Sequence, residues 1–201
     1  MKHNSVKRLV GMAMLIAIVV VLQSIAKYLT FGNISFALVL VPIIIGAAIY
    51  GKLAGAILGA VFGLMTFFGA MNSPYFDGLL FHTSPVLCFL ICILKAVAAG
   101  YCSGLVYQIG TRKSNEPKRV YVSSLLAALT APIVNTGIFC VGVLVFFYDV
   151  LSGSAMEGGK SAIAFLFLVL VGVNFLVELA INLICAPVIN TVIRVYSKSN
   201  K

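Results

Sequence analysis

Charge is scarce in this chain, and acid and histidine are scarcer still. Only 9% of the residues are charged, five are acidic, and the only histidines are His3 and His82. No histidine lies in an apolar run and no HExxH occurs, so an intramembrane hydrolase would lack a base and metal ligands. Gly159-Lys160-Ser161 ends like a phosphate loop, but its first glycine would fall at Ser154 and no strand precedes it. The chain is therefore expected to be no enzyme and to need no cofactor. Nothing matches a ring-forming selectivity filter, and no internal repeat marks an inverted-repeat transporter. The five cysteines are odd in number and have no metal-ligand spacing with a histidine, so they read as small packing residues.

What the chain has is apolar length. Of its 201 residues, 62% are hydrophobic, too many to hide in a water-soluble body of this size. They fall into six runs, about 9–26, 34–50, 53–69, 85–108, 120–148 and 162–194. A helix needs roughly 17–25 apolar residues to cross a bilayer core. The expected fold is an all-α integral membrane protein, one compact six-helix domain over residues 1–201. The first run follows Lys2, Lys7 and Arg8 but is too long for a signal-peptide core, so it reads as an anchor.

With six spans both termini share one side. That side would hold Lys2, Lys7, Arg8, Lys52, Arg112, Lys113, Lys118, Arg119, Arg194, Lys198 and Lys201, against Lys27 and Lys160 opposite. The bias places both ends in the cytoplasm. The net charge of +9 is thus topogenic, and its scatter over short loops argues against nucleic acid. Two outer segments, 70–84 and 149–161, read as loops that mix glycine, aromatics and hydrogen-bonding side chains.

Glycines at 51, 55, 59 and 63, and at 100 and 104, recur every four residues. That spacing puts them on one helix face, where a neighbouring helix can approach closely.

Polar residues out of place in lipid carry the functional signal. Lys95 lies about 15 Å along its helix from Pro85, a depth at which a charge faces a cavity or a partner. Asn174, Glu178 and Asn182 form a four-residue stripe in the sixth run, and Asn135 and Thr136 reach similar depth in the fifth. A pocket among helices four, five and six would gather them. The bland reading is that Lys95 and Glu178 neutralise each other and the asparagines bridge helices. Asn72, Tyr75, Asp77, His82 and Thr83, with Tyr148 and Asp149, are outer-loop candidates for a roof; such a loop is also simply a turn.

An ordered set of segments is similar to a known family. Ala13-Met14-Leu15-Ile16-Ala17, Ile34 to Ile43 with Gly46-Ala47-Ala48, Gly55 to Leu64, Ala131 to Gly137 and Asn174 to Leu179 resemble the substrate-binding S components of energy-coupling factor (ECF) transporters. The resemblance covers essentially the whole chain. It implies a bacterial cytoplasmic-membrane subunit that captures a water-soluble vitamin. It also implies a membrane scaffold (T component) and two cytoplasmic ATPases as partners, with Ala13 and Ala17 receiving the scaffold's coupling helices. The site would lie among helices four to six under the outer loops, and delivery would proceed by toppling of the subunit. Where relatives often carry proline after Gly51, this chain has Lys52. The pattern is most like the pantothenate branch; Lys95 could pair with that ligand's carboxylate, and Asn and Thr with its amide and hydroxyls. Two alternatives remain open on the residues alone. One is a stand-alone ion- or proton-coupled transporter using Glu178; the other is a structural membrane protein that binds no small molecule.

Overall fold

The computed structural model describes residues 2–28, 38–112, 116–159 and 161–199. These form α1 (Lys2–Tyr28), α2 (Leu40–Tyr50), α3 (Lys52–Ala70), α4 (Phe76–Thr83), α5 (Pro85–Thr111), α6 (Pro117–Phe146), α7 (Tyr148–Glu157), α8 (Ala162–Phe165) and α9 (Gly172–Ser199). A π-helical stretch, Leu166–Val171, joins α8 to α9. Helix suits such long apolar runs in lipid, because a helical segment satisfies its backbone hydrogen bonds within itself. Pro85 and Pro117 stand at the first turns of α5 and α6, where a missing N–H costs nothing.

Among the described residues five segments are long and apolar enough to cross a membrane: Val6–Ala26, Lys52–Ala70, Pro85–Thr111, Pro117–Phe146 and Ala162–Tyr196. The second run contributes an apolar helix of 11 residues, short of a full crossing on its own. Its residues 34–37 lie outside the described residues, as do Lys113, Lys160 and Lys201.

α5 is the axis of the bundle, packed along α3 on one side and α6 on the other; α9 lies against α6 and α2, and α1 against α2 and α3. The α3–α5 seam is made of backbone. A Cβ on Gly55 would strike the Gly100 carbonyl, one on Gly59 the Ala96 carbonyl, and one on Gly63 would come within 2.7 Å of the Cys92 carbonyl. The four-residue spacing therefore does what it suggests, with one correction. Gly51 is not part of that face: its φ of 98° makes it the break between α2 and α3. Its N–H donates to the Ala47 carbonyl at 3.1 Å, and its own carbonyl accepts from Ala54 at 2.9 Å. Only glycine adopts that backbone cheaply.

At the end of the bundle that holds both termini, Arg8 Nη2 donates to the Tyr50 carbonyl at 3.0 Å. The Tyr50 ring meets Tyr196 edge-on, 5.6 Å between centroids. At the far end the two segments read as loops are partly helical. α4 buries Phe76, Gly78 and Leu80, and α7 buries Leu151 and Ala155. The apolar spacing within those segments was hidden among turn-forming residues.

Most buried apolar side chains of the described residues fall into two groups. One, toward the termini, includes Val19, Leu40, Ile43, Leu58, Ala96, Ala131, Ala186 and Ile189. The other, at the far end, includes Phe76, Leu80, Cys92, Cys140, Val143, Phe147, Leu166 and Val171. All five cysteines are free, and Cys88, Cys92 and Cys140 are buried, in keeping with packing roles.

Candidate functional site

Polar residues occupy the level between those two groups. On α5, Lys95 falls between Cys92 of the far group and Ala96 of the near one. On α6, Asn135 lies one turn beyond Ala131 and one turn short of Phe139, which packs against the far group. On α9, Glu178 and Asn182 lie between Val171 and Ala186. Ala131 and Ala186 share one core group, and α6 runs against α9. One turn from each, in the same direction, come Asn135 and Asn182. By rise per residue Asn135 is about 27 Å from Pro117 and Asn182 about 26 Å from Ser199, so the depths agree.

The stripe on α9 is knitted along its own helix. Asn174 Nδ2 donates to Glu178 Oε1 at 3.3 Å, and Asn182 Nδ2 donates to the Glu178 carbonyl at 2.9 Å. Glu178 is 3% exposed and Asn182 0%, so whatever these groups do not find in protein they do not find at the surface. Among the described residues four side-chain oxygens are buried without a partner: Asn135 Oδ1, Glu178 Oε2, Asn182 Oδ1 and Asn190 Oδ1. Buried polar atoms are nearly always satisfied, and an orphaned one costs about 1–3 kcal/mol. All four are acceptors, and three of them belong to the polar level.

Lys95 does not close an ion pair with Glu178 among the described residues. Its ammonium lies 4.7 Å from the centroid of the Phe139 ring. The bland neutralisation is thus not the arrangement found. Thr136 is half-buried beside Asn135.

The roof candidates stand apart from this level. Asn72 lies in the turn after α3, and Tyr75 precedes α4; both are exposed, as is His82 on α4, whose ring meets Phe81 edge-on at 5.6 Å. Asp77, Thr83, Tyr148 and Asp149 are exposed too, and Thr83 Oγ1 donates to the Leu79 carbonyl. On α1, Ala13 and Ala17 are exposed together with Leu9, Val10, Met14 and Ile18.

Two contributors were not among the candidates read from sequence. Phe139 looks like any apolar residue, and only its position one turn from Asn135 could have flagged it. Asn190 continues the four-residue stripe past Ala186, a periodicity that was there to be extended.

The model of one family, the ECF transporter substrate-specific component, matches residues 7–190. The chain belongs to that family. It is accordingly a substrate-specific component of an ECF transporter and a multi-pass membrane protein. Among curated proteins none matches it.

Proposed function

We propose that this S component captures a water-soluble, anionic vitamin, pantothenate being the favoured one, at the level of Lys95, Asn135, Thr136, Asn174 and Glu178. The observation that carries the reading is Lys95: a mid-helix ammonium resting on an aromatic face with no ion pair among the described residues. A cation held ready in this way is suited to a carboxylate, and a charge-assisted hydrogen bond there is stronger than a neutral one. Asn135 and Thr136 would serve the amide and hydroxyls, and Asn72, Tyr75 and His82 would close the site from outside.

In this reading the second apolar segment completes six spans, and both termini lie in the cytoplasm of a bacterial cell. Ala13 and Ala17 present a low, apolar face of α1 to a T component, two ATPases supply the energy, and toppling carries the site inward. The chain itself performs no catalysis. Calorimetry on the purified subunit tests the core of this. Pantothenate should bind one-to-one without ATP or partners, and Lys95→Ala should weaken it by about 10- to 100-fold, the worth of one charged hydrogen bond. Unchanged binding in Lys95→Ala would remove the anion contact. Substrate uptake by the subunit alone in vesicles, driven by an ion gradient, would instead favour a stand-alone transporter.

A further inference from the structure

The polar level is lopsided in a way that specifies more than an anion. On the α5 side it offers a cation, Lys95. On the α6 and α9 side the buried atoms without a partner among the described residues are acceptors: Asn135 Oδ1, Glu178 Oε2 and Asn182 Oδ1. One amide N–H of Asn174 goes to Glu178 Oε1 and one of Asn182 to the Glu178 backbone carbonyl. That leaves Glu178 held by its neighbours, with Oε2 meeting no partner among the described residues. An acid in the ligand finds no donor in those three oxygens.

We propose that Glu178 Oε2, with the side-chain oxygens of Asn135 and Asn182, forms a donor-reading subsite that selects ligands carrying at least two hydroxyl or amide N–H groups at the end opposite their acid. The inference rests on the capture reading above and deepens it by fixing the ligand's class and orientation. The acid lies toward Lys95 and Phe139, and the donors lie toward α9. Hydroxyls meeting a carboxylate make short, strong hydrogen bonds. A site built around unpaired acceptors also rejects an analogue that lacks the donors, because the protein oxygens then stay buried and unmet. Lys95 supplies attraction that any organic acid could use, whereas Glu178 supplies discrimination.

The test uses a matched ligand pair on the full-length subunit in detergent: pantothenate, and the same molecule with both hydroxyls replaced by hydrogen. The wild type should prefer the dihydroxy acid by about 100-fold or more. Glu178→Gln is the informative variant. Its amide oxygen keeps the bond from Asn174, which puts an NH2 where Oε2 was, reversing polarity at constant size. The preference should fall to within about threefold, while the penalty for replacing the ligand's carboxylate by an alcohol, which reads Lys95, stays as in the wild type. A preference that survives in Glu178→Gln overturns the proposal, as does a wild type that binds the dideoxy compound equally well. Glu178→Leu, checked for an intact thermal transition, gives the same reading without any polar group. If Lys95→Ala leaves pantothenate binding unchanged but Glu178→Gln levels the pair, the subsite stands and the anion contact falls. If the wild type binds neither compound, the capture reading and this inference fall together.

Discussion

The ammonium of Lys95 on α5 and the ring of Phe139 on α6 lie 4.7 Å apart, and this contact holds a charge in place without neutralising it. A carboxylate partner would satisfy Lys95 and end its usefulness to a ligand. An aromatic face contributes only about 0.5–2 kcal/mol, enough to orient the ammonium and too little to compete with an incoming acid. Phe139→Leu keeps the apolar volume and removes the quadrupole, freeing Lys95 to lean toward Glu178. Affinity for an anionic ligand should drop by about 3- to 10-fold, with the thermal transition little changed. Calorimetry and a melting curve on the same sample check both halves.

The α3–α5 seam gives a stability prediction with an internal control. Gly59 has no room for a side chain, because the Ala96 backbone occupies the position. Gly59→Leu must separate the helices and should cost at least about 1–3 kcal/mol. At Gly153 on α7 nothing lies within 4 Å of an added Cβ, so Gly153→Leu should fold like the wild type. Thermal unfolding in detergent distinguishes the two, and equal melting temperatures would mean that the seam is looser than described.

Gly51 is limited by backbone rather than space. At φ 98° and ψ 168° an L side chain is strained by about 1–3 kcal/mol. Gly51→Ala should lower the melting temperature and leave ligand affinity alone, since the turn lies at the termini end, away from Lys95 and Glu178. A loss of affinity larger than the loss of stability would show that the turn positions the site.

Ala13 and Ala17 are exposed on α1, so bulk added there points away from the described residues. The double substitution Ala13→Phe with Ala17→Phe should leave stability and ligand binding unchanged. Co-purification with a T component should be lost. Retained assembly would move the docking face elsewhere.

Sequence conveyed the helical bundle because lipid removes alternatives: long apolar runs must be helices, and Pro85 and Pro117 mark where two of them start. It also exposed Lys95, Asn135 and Glu178, because polar atoms stand out against an apolar background. It could not show that Lys95 rests on Phe139 instead of pairing with Glu178, since both outcomes use the same residues at the same spacing. Nor could it separate Gly51 from Gly55: the four-residue interval is shared, and only the positive φ tells a turn from a seam. The helices at the far end were obscured because turn-forming residues fill the same segments as Phe76, Leu80 and Leu151.

The glycine seam has a mechanical meaning as well. Where backbone rests on backbone there are no rotamers to readjust, so α3 and α5 behave as one stiff plank and Lys95 rides on it as a fixed post. The opposite wall is built otherwise: α6 carries Pro132 and α9 carries Pro187, each deleting a rung of hydrogen bonding. The π-helical stretch of Leu166–Val171 lies just ahead of Asn174 and Glu178. The wall that carries Asn135, Glu178 and Asn182 is thus the one with interrupted hydrogen bonding, and the wall that carries Lys95 is the one seamed backbone to backbone.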